Sequence, residues 1–149
     1  MTEVEFHFNV GDKLEYSCRL LRKARSGGST LLVVGAPELI EQLDRLLWTF
    51  SDPDFLPHCR SDANPLTVAA SPVMLATSLH DQAFNAQSYG VLVNLGREVP
   101  ENFERFERFI EVVSSADDDR QAARVRWKHY KDRGYALKQH DRAASAQGA

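Results

Sequence analysis

The sequence predicts a three-layer α/β sandwich with a mainly parallel central sheet, and three observations carry that expectation. Strand and helix patterns alternate through the first fifty residues, as βαβ units require. The runs Leu31 to Val34 (LLVV) and Val91 to Leu95 (VLVNL) are short, continuous and apolar, the signature of strands covered on both faces. The amphipathic stretches between them are long enough for helices that would cover such a sheet.

Taken in order, Val4 to Phe8 (VEFHF) alternates and is rich in β-branched and aromatic residues, which predicts a first strand. Asp12 is placed to cap a helix over Lys13 to Ser26, where Leu14, Cys18 and Leu21 follow helical spacing. Ser26-Gly27-Gly28-Ser29 makes the turn into LLVV. Gly35-Ala36-Pro37 ends that strand, and Pro37 suits the first turn of a helix with Leu39, Leu43, Leu46 and Leu47 as its buried stripe, ending near Trp48.

From Phe50 to Pro65 neither period is present. Leu66 to Ala69 and Val73 to Ala76 are expected to be strands separated by Ser71-Pro72. Beyond VLVNL, Pro100 and Asn102 are expected to open a helix with Phe103, Phe106, Phe109, Ile110 and Val113 on one face. The final helix begins at three acids, Asp117, Asp118 and Asp119, which can cap and complement its positive end, and stops at Gly134.

A chain of 149 residues with 43% hydrophobic and 26% charged residues is expected to fold as one domain, here residues 1–142, with AASAQGA at 143–149 as a flexible tail. No apolar run is long enough to span a membrane and no signal peptide is evident, so a cytoplasmic protein is expected. Cys18 and Cys59 are then expected to be free thiols.

The sheet is expected to be Rossmann-like but to lack a nucleotide-binding loop. There is no G-x-x-x-x-G-K-[ST] and no G-x-G-x-x-G, and Ser26-Gly27-Gly28-Ser29 precedes a strand where a phosphate loop would follow one. Ser78, His80 and Asp81 hold the atoms of a hydrolytic triad, but lie too close in sequence for its geometry, and no nucleophile elbow is present. His7, His58, His80, His129 and His140 are scattered and match no zinc spacing. No catalytic residue, cofactor or metal is therefore expected.

Two clusters remain. On the last helix Arg120, Arg124, Trp127, Lys128 and Lys131 fall within an arc of about 100°. The segment Arg120 to Gly134 carries +5 on a chain whose total is −3, so the remainder carries −8. A basic island on an acidic chain suggests a dock for an anion. Alternatively, Trp127 faces the core with Ala123 and Tyr130, and the cations form a solvated face. The second cluster is Leu43 to Trp48 followed by Phe55-Leu56-Pro57-His58. Either it presents an aromatic anchor to a partner, or Trp48 and Phe55 pin a loop to the chain's own core.

Together VEFHF, LDRLLWTF, DFLPH and ARVRWKHYKDRGY resemble the chi subunits of bacterial DNA polymerase III holoenzymes, over nearly the whole chain. The resemblance implies a non-catalytic clamp-loader accessory protein. It further implies a pocket on the last helix for the acidic, Phe-ended C-terminal tail of single-stranded-DNA-binding protein, and a separate surface for the psi subunit, which links chi to the clamp loader. By motif position Arg120, Arg124, Trp127 and Lys128 look like tail-binding residues, with Lys131 continuing the row. Trp48, Phe55, Pro57 and His58 look like the psi-facing cluster. A helicase is a further partner that the family admits.

Trp127 stands where some relatives carry tyrosine, keeping an aromatic wall without the hydroxyl. Ser114 to Asp119 is shorter than in those relatives, and Val113 is the apolar residue expected to line the pocket from that side. Guanidinium donors beside an apolar wall suit a tail of carboxylates ending in Phe. Contact with nucleic acid would then be only indirect. Direct binding of single strands by the same Arg, Lys and Trp is the competing reading, opposed by the acidity of the remainder. An enzyme of unknown α/β type is the third.

Overall fold

A computed structural model describes residues 2–49, 58–60, 72–77, 89–100 and 103–142. Its strands are β1 (Glu3–Val10), β2 (Leu31–Val34), β3 (Cys59–Arg60), β4 (Val73–Ala76), β5 (Val91–Asn94), β6 (Arg108–Ser114) and β7 (Leu137–Asp141), and its helices α1 (Lys13–Ser26), α2 (Pro37–Thr49) and α3 (Asp117–Asp132). The strands form one sheet in the order β3-β4-β2-β5-β6-β1-β7. All six pairings are parallel.

The all-parallel sheet explains the short apolar runs. Every residue of β2, β4 and β5 is buried, because helices cover both faces. One core cluster joins Cys18 and Leu21 of α1 to Ile40, Leu43 and Leu47 of α2 over Leu31, Val33, Val73, Leu75, Val91 and Val93. The other joins Ala123 and Tyr130 of α3 to Val4, Phe6, Leu32, Leu92, Phe109 and Val113. The alternation of the strands thus sends one set of side chains to α1 and α2 and the other to α3.

Several local signals act as expected. The Asp12 side chain accepts hydrogen bonds from the backbone N–H groups of Leu14 and Glu15 and so starts α1. Gly134, at φ +82°, takes the left-handed conformation that ends the last helix, two residues past Asp132. Cys18 is a buried free thiol whose pKa burial pushes up to about 11, which keeps it protonated and unreactive.

The helix expected from Pro100 through Val113 is not formed. Phe103–Arg105 is one 3-10 turn, and Arg108–Ser114 is a strand paired with β5 on one side and β1 on the other. Phe103, Phe106, Phe109, Ile110 and Val113 fit a helical stripe, yet all five are buried for another reason: Phe109, Ile110 and Val113 lie in a strand covered on both faces, and Phe103 and Phe106, before it, pack into the core cluster under α3. Glu111 completes the illusion, since a helix would turn it to solvent, whereas the strand buries it completely.

The acids at 117–119 are also used differently than expected. Ala116 occupies the N-cap position and offers no side-chain bond, while Asp117 to Asp119 sit inside the first turn and complement the dipole. Asp119 reaches back to the backbone N–H of Ser114 at 2.7 Å and pairs with Lys13 of α1 at 2.9 Å. These bonds hold its carboxyl below the usual carboxylate range although burial alone would raise it.

Neither the two-residue strand β3 nor the edge strand β7 was expected from the pattern. The Leu66 to Ala69 strand, the Ser78, His80 and Asp81 cluster, Phe55, Pro57 and the 143–149 tail lie outside the described residues, as does the Cys59 side chain. Among the described residues no helix is long and apolar enough to cross a membrane.

Candidate functional site on the last helix

The sequence of α3 divides its cations between two environments. Arg126 points inward, 1% exposed, and its Nε donates to Glu111 Oε2 at 2.9 Å. The Tyr130 hydroxyl donates to the same oxygen at 2.6 Å, and Asn94 Nδ2 donates to Oε1 at 2.8 Å. Arg126 Nη1 also donates to the carbonyl of Arg97 at 2.8 Å. Burial pushes the Glu111 carboxyl up, while Arg126, Tyr130 and Asn94 pull it back. Burial and the Glu111 charge together raise the Tyr130 hydroxyl far above its ordinary range, so it stays a donor.

Arg126 therefore fixes α3 on the sheet and is lost to surface recognition. The basic island counted from sequence is correspondingly smaller at the surface.

The neighbouring face of α3 is open. Arg120, Ala123, Arg124 and Trp127 line one wall of a cleft of about 300 Å³, closed by Phe6 and Phe8 of β1, Val113 of β6 and Gln139 of β7. Four of the six residues named on the basic and aromatic stripe and its neighbour, namely Arg120, Arg124, Trp127 and Val113, thus meet at one depression. Lys128 and Lys131 are exposed on α3 but do not line it.

The two readings of Trp127 prove compatible. Its indole is partly buried and packs edge-on against Phe6, with ring centroids 5.1 Å apart and planes at 70°. The same ring lines the cleft. An aromatic that is anchored on one side and open on the other is a preorganised wall, because its rotamer is already fixed by packing.

Arg120 and Arg124 are exposed. Arg120 lies 3.9 Å from Asp117, a long surface contact that leaves its guanidinium available. Arg124 has no carboxylate partner among the described residues. Aromatic floor, aliphatic side and two guanidiniums make a site suited to a short peptide that carries carboxylates and an apolar side chain.

Phe6, Phe8 and Gln139 were missed as lining residues. Phe6 and Phe8 share a face of the first strand, a signal already in the alternation of VEFHF. Gln139 carried no signal, since β7 itself was not recognised.

The second cluster lies at the other end of the sheet, near α2. Trp48 is 58% exposed, large for an indole. His58 stacks against it with centroids 4.9 Å apart and accepts or donates a hydrogen bond at 3.1 Å to Asp44 Oδ1. The His58 side chain is itself fully buried. Its place is thus beneath the indole, fixing the Trp48 orientation, and not at the surface.

Comparison with known proteins agrees with both the sheet and the sequence motifs. The C-terminal domain of the DEAD-box protein Dbp5 superposes with a TM-score of 0.59 over 95% of this chain and 90% of that one, at 12% identity, a likeness of fold alone. DNA polymerase III subunit chi from Pseudomonas aeruginosa is 32% identical over 145 residues, 94% of this chain and 96% of that protein. The family model described as DNA polymerase III chi subunit, HolC, matches residues 1–138. The chain therefore belongs to the DNA polymerase III chi subunit family, accessory subunits of the replicative polymerase.

Proposed function

We propose that this chain is a non-catalytic adaptor of the clamp loader that captures the acidic, Phe-ended C-terminal tail of single-stranded-DNA-binding protein in the α3 cleft. The observation that supports the reading best is the juxtaposition of Arg120 and Arg124 with the Trp127 and Phe6 rings around one depression. The terminal Phe enters the apolar floor of Phe6, Phe8, Val113, Ala123 and Trp127. Its α-carboxylate and the preceding acidic side chains meet the two arginines, with Lys128 and Lys131 drawing in the rest of the tail.

The same assignment gives the α2 end a different partner. Trp48, with Phe55 and Pro57 beyond the described residues, docks a psi-like subunit, and His58 acts through the indole it supports. Contact with single strands is then indirect, through their coat protein. A helicase would compete for or share one of these surfaces.

Isothermal titration with an acidic nonapeptide ending in Phe tests the reading. Binding that weakens with salt, and further with Arg124→Ala or removal of the terminal Phe, is expected. Equal binding by wild type and Arg124→Ala, or tight binding of a bare oligonucleotide in place of the peptide, would sink it.

A further inference from the structure

Glu5 and His7 follow one another on the α1 side of β1, opposite to the cleft-lining Phe6 and Phe8. His140, in β7, is the register partner of His7. The topology thus stacks a carboxylate and two imidazoles across two parallel strands, and one ligand-capable atom from each lies within 4.8 Å of the others. His140 Nε2 and Glu5 Oε1 are 3.2 Å apart. Two ligands held at about 2.0–2.1 Å by a tetrahedral zinc ion are separated by about 3.3 Å, so this pair already has the required spacing.

The third corner supplies an independent sign. His7 Nδ1 is hydrogen-bonded to the Tyr16 hydroxyl of α1, which leaves Nε2 as its remaining nitrogen. That nitrogen is sealed from solvent and has no hydrogen-bond partner, although buried polar atoms are almost always paired. We propose that Glu5, His7 and His140 form a zinc-binding site, with Glu5 Oε1, His7 Nε2 and His140 Nε2 as ligands.

The surroundings fit that role. Tyr16 on His7 and Arg108 on the second Glu5 oxygen are outer partners of the kind that orient metal ligands. Burial, with Arg142 and His140 beside it, lowers the His7 pKa to about 4, so the ring is neutral and keeps a lone pair. Burial alone would raise the Glu5 carboxyl, but Arg108, His7 and His140 hold it below its ordinary value, ionised.

The nearby Arg108 and Arg142 charges oppose any cation bound by electrostatics alone. Mg²⁺ and Ca²⁺, which take oxygen ligands, are thereby disfavoured, whereas Zn²⁺ forms directional bonds to imidazole nitrogen. His140 is half-buried, which gives the ion an entry from solvent and leaves a fourth position for water. His140 binds in the tautomer that carries its hydrogen on Nδ1. Bound zinc ties the edge strand β7 to β1 by a bond in addition to the ladder.

The test uses the full, untagged chain stripped with chelator and titrated with Zn²⁺, and with Co²⁺ as a visible probe. One equivalent should bind, Co²⁺ should give the intense absorption of a four-coordinate ion, and Zn²⁺ should raise Tm while Mg²⁺ does not. His140→Ala and His7→Asn should each lower affinity at least tenfold, and Tyr16→Phe about tenfold through lost orientation. His129→Ala, on α3, should change nothing. Failure to bind zinc at micromolar concentration, or wild-type affinity in either His140→Ala or His7→Asn, overturns the site. This outcome is independent of peptide binding at the cleft.

Discussion

Arg124 and Arg126 stand two residues apart on one helix and do opposite things. Arg126 is enclosed with Glu111, Tyr130 and Asn94, where every charge has a counterpart and none is available to a partner. Arg124 lines an apolar cleft, exposed and unpaired with any described carboxylate. A step of two residues rotates a side chain by about 200°, so neighbouring cations of a basic helix divide between buried and exposed positions according to azimuth and not composition. Counting charge along the helix overstates its recognition capacity for this reason.

The comparison breaks most severely at Arg126. Arg126→Ala strands the Glu111 carboxylate in the core, and a loss of about 3–5 kcal/mol of folding stability is expected by denaturant titration. Replacing both partners, Arg126→Met with Glu111→Gln, should recover part of that loss, because no unpaired charge remains. If Arg126→Ala is as stable as wild type, the distinction between the two arginines fails.

The opposite face of the sheet gives the next effect. His7 has a folded pKa of about 4 against an ordinary 6.5, so between those values the unfolded chain binds a proton that the folded chain refuses. Stability is therefore retained above pH 6.5 and lost as pH falls toward 4, by up to about 3 kcal/mol. Unfolding followed across that range in chelator should show a shallower acid loss for His7→Asn, whose amide can keep the Tyr16 contact. An equal slope would reassign the effect to other groups.

Arg124→Ala sharpens the contrast from the other side. Stability should stay within about 0.5 kcal/mol of wild type, while acidic-peptide affinity falls by about 2 kcal/mol, roughly thirtyfold. Smallest of all, Asp118→Asn removes an exposed pair with Arg97 and should cost about 0–1 kcal/mol, shrinking in salt.

Much of the architecture was legible because its causes are local. Asp12 caps the helix it precedes, Gly134 ends the one before it, and LLVV is unbroken because nothing polar is tolerated between two helix layers. The α3 stripe was also legible, since Arg120, Arg124 and Trp127 are brought together by helical periodicity alone. Their convergence on Val113 was expected from family likeness, whereas Phe6 and Gln139 came from pairing.

What escaped had non-local causes. Arg108–Ser114 looked helical because its apolar spacing suits either period, and only insertion between β5 and β1 makes it a strand. Strand β7, with its exposed lysine, glutamine and aspartate, has little hydrophobic signal, and it exists because β1 offers an unfilled edge. The grouping of Glu5, His7 and His140 likewise has no counterpart in the spacing of histidines along the chain. Glu5 and His140 are 135 residues apart and meet only across a parallel ladder.

The sequence by itself determined the helices flanking a buried sheet, their caps, and a helix face that groups cations with an indole, because these follow from periodicity within a few turns. Tertiary structure alone decided that Arg126 is buried while Arg124 is not wasted on the core, that β6 is a strand, and that His140 meets the Glu5 carboxylate from 135 residues away. Each of those depends on which segment lies alongside, and parallel pairing joins residues whose separation in the chain carries no record of it.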